Sequence, residues 1–220
     1  MAAPRFHEVF SPTIMETTIS NKFLSIINRC SDEVLSDKKK SIKWDWSHKL
    51  VGKVHKEIQI PISNEDDIVY TKNIMKSACI SYVEELIKNN TAYGWKKIAG
   101  DAKPTIQNIH LTQSWVVSQY AGDFNPFHHH NGDFSAGVYL KVPDGMNDEW
   151  KEDFKDHYPA WGLIEYAFGE SQTFRCDNIK FKPEVGKFLV FPSWLKHLVY
   201  PFTVEGERRM MSFNATVVDK

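Results

Sequence analysis

A mainly β fold with helical support, of α+β class, follows from three features: an amphipathic stretch in the first half, a change to short β-type runs after residue 105, and turn residues between those runs. The runs are "IQNIHLTQSWVVSQY", "FSAGVYLKVP", "WGLIEYAFG", "FKPEVGKFLVFP", "HLVYPF" and "RRMMSFNATVV", rich in Val, Ile, Tyr, Phe and Trp and divided by Gly, Pro, Asn and Asp. Short strands with this punctuation form a barrel or jelly roll rather than a parallel sheet. Residues 1–105 therefore read as a helical support region and 106–220 as the jelly-roll core, together one domain of ordinary size.

The elements follow in order. The opening "MAAPRFHEVFSPTIMETTIS" is extended and lacks the apolar centre of a secretory signal. In "NKFLSIINRC" the residues Phe23, Ile26, Ile27 and Cys30 recur at helical spacing. The segment "SDKKKSIKWDWSHKLVGKVHK" interleaves lysines with Trp44 and Trp46; it reads as a solvated stretch whose tryptophans cover the domain, or as a surface for phosphates and bases. From about Asp66 to Asn90 the pairs Ile74/Met75, Ala78/Cys79, Tyr82/Val83 and Leu86/Ile87 mark an amphipathic helix that packs on a sheet. Residues 144–162, "DGMNDEWKEDFKDHYPAWG", read as a charged, mobile insertion between strands, partly helical and suited to a lid.

Composition removes several function classes. A net charge of −1, from 27 basic and 28 acidic residues, gives no field that would demand nucleic acid or an anionic membrane as partner. No apolar run is long enough to span a bilayer. Cys30, Cys79 and Cys176 have no paired spacing, which argues against a zinc knuckle or a disulfide framework and fits a reducing cytoplasm.

Two stretches carry chemistry. In "NPFHHHNGDFS" an extended backbone puts His128 and His130 on one face and His129 on the other. Spacing alone leaves open a metal site or a solvated loop at a strand mouth. In "GKFLVFPSWLKHLVYPF" an apolar strand ends at Pro192 and a turn delivers His197 to the next strand. Arg208 then opens "RRMMSFNATV", whose alternation places Arg208, Met210, Ser212 and Asn214 on one face and Arg209 on the other.

Together, His128-x-His130, His197 and Arg208, set in "QYAGDFNPFHHH", "GKFLVFPSWLKHLVYP" and "ERRMMSFN", resemble the iron(II)- and 2-oxoglutarate-dependent dioxygenases, including the prolyl hydroxylases. The resemblance covers roughly residues 109–218 and implies a double-stranded β-helix. It implies Fe(II) held by His128, His130 and His197, and 2-oxoglutarate whose distal carboxylate meets the planar fork of Arg208. Tyr120, Tyr139 and Asn214 are further candidates for contact with the co-substrate. The family's commonest motif has a carboxylate where His130 stands, so Asp133 is the alternative third ligand if its loop curls back. His129 is a candidate for contact with a ligand or substrate, whereas His48 and His157 read as surface residues.

The implied reaction consumes O₂ and 2-oxoglutarate, releases succinate and hydroxylates a protein side chain such as proline, or a small metabolite. Two other readings stand beside it. One is a three-histidine, cupin-like dioxygenase or isomerase that needs no 2-oxoglutarate; the other is a non-catalytic β-sandwich that binds peptide or nucleic acid through the Lys/Trp segment.

Overall fold

The computed structural model describes residues 12–49, 52–150, 160–173 and 176–218. Among these described residues ten strands form two antiparallel sheets. The larger runs in the order β1 (Met15–Thr18), β8 (Lys187–Pro192), β5 (Phe134–Lys141), β10 (Arg208–Val217), β3 (Ile109–Gln119) and β2 (Lys56–Gln59). The smaller runs β4 (Asn125–His128), β9 (Lys196–Val199), β6 (Ile164–Ala167) and β7 (Asn178–Phe181). All six β-type runs of the sequence contain a strand. β1, β2, β4 and β7 are four residues each, too short to show a period of two in the sequence.

Among the described residues four helices precede the second half: α1 (Asn21–Leu35), α2 (Lys38–Lys43), α3 (Glu65–Lys88) and α4 (Tyr93–Ala99). The Ser20 hydroxyl caps α1 by accepting from the Phe23 N–H. Asn64 caps α3 by accepting from the Asp67 N–H, and Glu65, Asp66 and Asp67 add the negative charge that a helix N-terminus favours. The stripe expected on α3 is the one that packs: Met75, Cys79, Tyr82 and Val83 are buried, with Ile74, Ala78, Leu86 and Ile87 partly so.

Strand alternation divides the larger sheet into two environments. Phe134, Ala136, Val138 and Leu140 of β5, with Met211, Phe213 and Ala215 of β10, join Phe23, Ile27 and the α3 stripe in one core. Each large apolar side chain fully buried there contributes about 1.5–3 kcal/mol. Ser135, Gly137, Met210, Ser212 and Asn214 lie on the opposite face and line a cleft shared with the smaller sheet. The core thus holds one face of the sheet rigid while the other carries polar groups.

The Lys/Trp segment forms α2, none of whose residues is buried, and a 3-10 turn at Ser47–Lys49, and it runs into edge strand β2 at Lys56; Trp44 packs against the core, as the reading of a solvated stretch whose tryptophans cover the domain expects. The charged insertion begins, in keeping with a partly helical reading, as a 3-10 segment, Asp144–Trp150, fastened by the buried Glu149. Its Oε1 accepts from Val204 N at 2.8 Å and from the Thr203 N–H and hydroxyl. The rest of the expected lid, residues 151–159, lies outside the described residues. Among the described residues no helix is long and apolar enough to cross a membrane.

Glu57 on β2 is buried, and its Oε2 has no hydrogen-bond partner. Burial, assisted by the charge of Asp45, pushes its carboxyl from 4.5 up to about 8. The folded chain therefore keeps a proton that the unfolded chain has released, a contribution complete below 4.5 and lost as pH rises through about 8. From this group, stability should fall by at most ~1.4 kcal/mol per pH unit across that window. Glu57→Gln should flatten the dependence and melt above the wild type at pH 8. Thermal melting against pH checks this, and equal slopes for the two proteins would show that Glu57 is not held protonated.

Candidate functional site

β4 lies antiparallel to β9 with His128 directly opposite His197. His130 sits just past β4 and is drawn in by the turn before β9: its N–H donates to Ser193 O at 2.9 Å, and Ser193 N donates to Asp133 O at 3.2 Å. The Ser193 hydroxyl also donates to Gly132 O. Gly132 has φ +98°, and a Cβ there would stand 2.8 Å from Ala215 O, so this crossing admits only glycine. The stitched loop and turn bring one ring nitrogen from each of His128, His130 and His197 within 4.8 Å of one another. The exposed His129 takes no part.

The hydrogen bonds of the rings fix their chemistry. His128 Nδ1 donates to Pro126 O at 2.7 Å, and His197 Nδ1 donates to Leu195 O at 3.0 Å, because a carbonyl can only accept. Each proton is thus placed on Nδ1, leaving the Nε2 lone pair available to a metal. Burial is the main reason all three rings resist protonation, His130 down to about 4; the charge of His128 adds to this at His130 and His197, that of His130 at His197, and that of His129 at all three. Tyr166 and Phe191 flank His197 with ring centroids at 5.4 and 5.0 Å, and Trp115 flanks His130 at 5.5 Å. Three neutral imidazoles converging within an aromatic collar suit a borderline divalent transition ion.

The histidines open on a cleft between the sheets. Trp115, Val117, Ile164 and Val199 give it apolar walls, and Gln119, Asn125, Ser212 and Asn214 give it polar points. Asn214 Oδ1 accepts from the Ser135 hydroxyl at 2.7 Å. A Cβ on Gly137 would lie 1.9 Å from Met210 Cε, so that glycine makes room for the Met210 side chain in the cleft.

Arg208 lies behind the Gln119 wall and is fully buried. Nη1 donates to Gly162 O at 2.6 Å and to Tyr200 O at 3.3 Å, and Nη2 donates to Gln119 Oε1 at 2.9 Å. All three acceptors are neutral, and among the described residues no carboxylate stands within ion-pair distance of the guanidinium. Burial pushes its pKa down to about 10, which leaves it cationic at neutral pH. Beside it Tyr139 is buried with its hydroxyl unpartnered. Burial pushes that phenol up to about 12, against the pull of the Arg208 charge, so it stays a donor. A buried cation without a counter-ion and an orphaned phenol form a receptor that fits a carboxylate.

Other sequence-based expectations are corrected. Tyr120 turns outward, 40% exposed, with its ring edge-on to His55 at 4.8 Å, because alternation along β3 sends Trp115, Val117 and Gln119 into the cleft. The alternative ligand Asp133 is not part of the histidine cluster: it accepts from Val217 N at 2.8 Å on the other side of its loop. Arg209 does face away from the cleft, but it is buried and ion-paired with Glu207 and Asp32, both at 2.7 Å. Gln119, Asn125 and Tyr166 are site residues that the sequence reading missed. Gln119 was within reach of the β3 alternation, since it shares a face with Trp115 and Val117, whereas Asn125 stands on the four-residue β4.

Residues 113–214 match the family model described as "Putative 2OG-Fe(II) oxygenase". No curated protein matches the chain. Among solved structures it is similar to AviO1 from Streptomyces viridochromogenes Tue57, at 10% identity and TM-score 0.56, covering 93% of this chain and 90% of that one. It is also similar to the viral collagen prolyl hydroxylase vCPH from Paramecium Bursaria Chlorella virus-1, at 15% identity and TM-score 0.51 over 93% and 96% of the two chains. A prolyl hydroxylase from Trichoplax adhaerens matches at 16% identity and TM-score 0.51 over 92% and 81%. At such identities these likenesses establish the fold, a double-stranded β-helix with N-terminal helices. The family match runs from β3 to β10 and so encloses all three histidines and Arg208; over that stretch, just under half of the chain, the protein is similar to the 2OG-Fe(II) oxygenases.

Proposed function

We propose that this protein is an Fe(II)- and 2-oxoglutarate-dependent dioxygenase in which His128, His130 and His197 hold the metal. Arg208 and Tyr139 receive the distal carboxylate of the oxoacid, and Asn214 is a further polar point on the cleft wall. The convergence of three neutral imidazole nitrogens within 4.8 Å carries this reading. Iron, when bound, supplies O₂ activation coupled to oxidative decarboxylation of 2-oxoglutarate. The chain's own residues do the rest. Pro126 O and Leu195 O hold two imidazoles in the ligating tautomer, and Arg208 and Tyr139 offer charge-assisted and neutral donors to the oxoacid. Trp115, Val117, Ile164 and Val199 exclude water around the reacting groups.

The same reading takes residues 1–220 as one domain, with 1–105 supporting the 106–220 core, and a cytoplasmic setting in which Cys30, Cys79 and Cys176 stay unpaired. The outcome is hydroxylation of a substrate C–H bond. Peptidyl proline, for which the viral and Trichoplax proteins are named, is the first substrate class to assay, and small metabolites are the second. Protein purified without oxygen should bind one equivalent of Fe(II) and convert 2-oxoglutarate to succinate and CO₂ in air. Iron binding with oxygen consumption but no succinate would favour the cupin-like reading. Absence of both would leave a binding module.

A further inference from the structure

The unpaired charge of Arg208 depends on what stands next to it. Gln119 is its cross-strand neighbour, Cα opposite Cα on β3 and β10. The Gln119 amide is clamped at both ends: Oε1 accepts from Arg208 Nη2 at 2.9 Å, and Nε2 donates to Asn125 Oδ1 at 2.9 Å. A guanidinium only donates, so the amide has one permitted orientation. Gln119 and Asn125 are both buried, and both line the cleft that the histidines open on. Gly162 O and Tyr200 O hold the other arm of the fork from the far side. Among the described residues the carboxylate that acts on Arg208 is Asp123, whose Oδ2 is already engaged by the backbone N–H groups of His55 and Tyr120 at 2.7 and 3.0 Å. A glutamate at 119 would make the same hydrogen bond to Nη2 while cancelling the charge.

We propose that Gln119 determines co-substrate specificity: its neutral amide orients the Arg208 fork without neutralising it, and so reserves the charge for the second carboxylate of a dicarboxylic 2-oxoacid. This rests on the site reading above. Glutamine here does two things that no other residue of its size does together. It holds the guanidinium from the cleft side, and it leaves the receptor one negative charge short. An acidic side chain would fill that deficit permanently, and an apolar one would release the fork. The residue is a positioning group, because it acts on the oxoacid through Arg208.

The test compares two ligands on the Mn(II)-loaded protein without oxygen. 2-Oxoglutarate uses both the metal and the Arg208 receptor, whereas oxalate chelates the metal and has no distal carboxylate. In Gln119→Glu, 2-oxoglutarate affinity should fall at least about 30-fold, as expected for loss of a buried charge partner, while oxalate affinity stays within about threefold of wild type. The metal-free variant should also melt above the wild type, because its buried cation is paired, and added 2-oxoglutarate should no longer raise the melting temperature. In Gln119→Met, of similar volume and without polar atoms, 2-oxoglutarate affinity should fall about tenfold, again with oxalate spared. Unchanged 2-oxoglutarate affinity in either variant, or a parallel loss of oxalate, would overturn the role given to Gln119. A wild-type protein that binds neither ligand would instead overturn the iron-site reading, so the two failures are distinct.

Discussion

His197→Ala should give a folded protein that no longer retains iron. His197 is buried on β9 with its Nδ1 proton tied to Leu195 O, and it faces His128 in register, so its removal leaves two imidazoles and a void where the third stood. Loss of an orienting partner alone typically costs about 10–100-fold in metal affinity, and loss of the ligand itself should exceed about 100-fold. His128→Ala should match it. Asp133→Ala should leave metal affinity nearly unchanged, because that carboxylate is bound to Val217 N and stands outside the cluster. His130→Asp should keep the metal, exchanging one imidazole for a carboxylate in the same loop. Anaerobic titration with Fe(II) or Mn(II) measures all four, with metal-free melting as the control for folding. If Asp133→Ala stripped the metal while His130→Ala kept it, the loop carboxylate would be the third ligand.

The parts of this molecule that were legible in the sequence are those with enough residues to repeat. α3 spans 24 residues, and its four apolar pairs pack on the sheet as their spacing requires. β10 spans ten, long enough for its alternation to separate Met210, Ser212 and Asn214 from Met211, Phe213 and Ala215. A four-residue strand such as β2 or β7 offers only two positions per face, and nothing in its composition separates it from a loop. β2 is harder still, since Lys56 and Glu57 interrupt the apolar signal and Glu57 is nonetheless buried. Burial of a lone carboxylate is a property of the tertiary arrangement around it.

The site shows the same division. His128 and His197 stand at strand positions and could be placed by pattern, but His130 lies beyond its strand and reaches the cluster through the hydrogen bond from its own N–H to Ser193 O. No spacing rule contains that bond. Tyr120 was misplaced for an instructive reason: its chemistry suited a carboxylate, yet it stands one residue beyond Gln119, and a shift of one residue on a strand reverses the face. The phenol that does reach the Arg208 region is Tyr139, on β5, a neighbour of β10. Tyr166 gave no signal because nothing in its run tells that β6 pairs with β9 and so sets its ring beside His197.

Arg208→Ala should raise the Michaelis constant for 2-oxoglutarate by about 30-fold to several thousand-fold, the range that follows from the roughly 2–5 kcal/mol lost with one partner of a buried charge pair. Iron affinity should be spared, because Arg208 lies behind Gln119 and touches none of the histidines; its partners are Gly162 O, Tyr200 O and the Gln119 amide. Arg208→Lys should not restore the wild type, since a single ammonium cannot span three acceptors and present a fork as well. The neighbouring arginine supplies the control. Arg209 is as buried as Arg208, but its charge is met by Glu207 and Asp32, on the helical side of the sheet. Arg209→Ala should therefore lower the melting temperature, at the lower end of the roughly 3–5 kcal/mol typical for a broken buried pair because Asp32 is half exposed, and leave the 2-oxoglutarate constant within about threefold. Steady-state succinate formation against 2-oxoglutarate concentration, beside thermal melting, separates the two. If Arg209→Ala raised the Michaelis constant and Arg208→Ala only lowered stability, the receptor for the oxoacid would lie on the other face of β10.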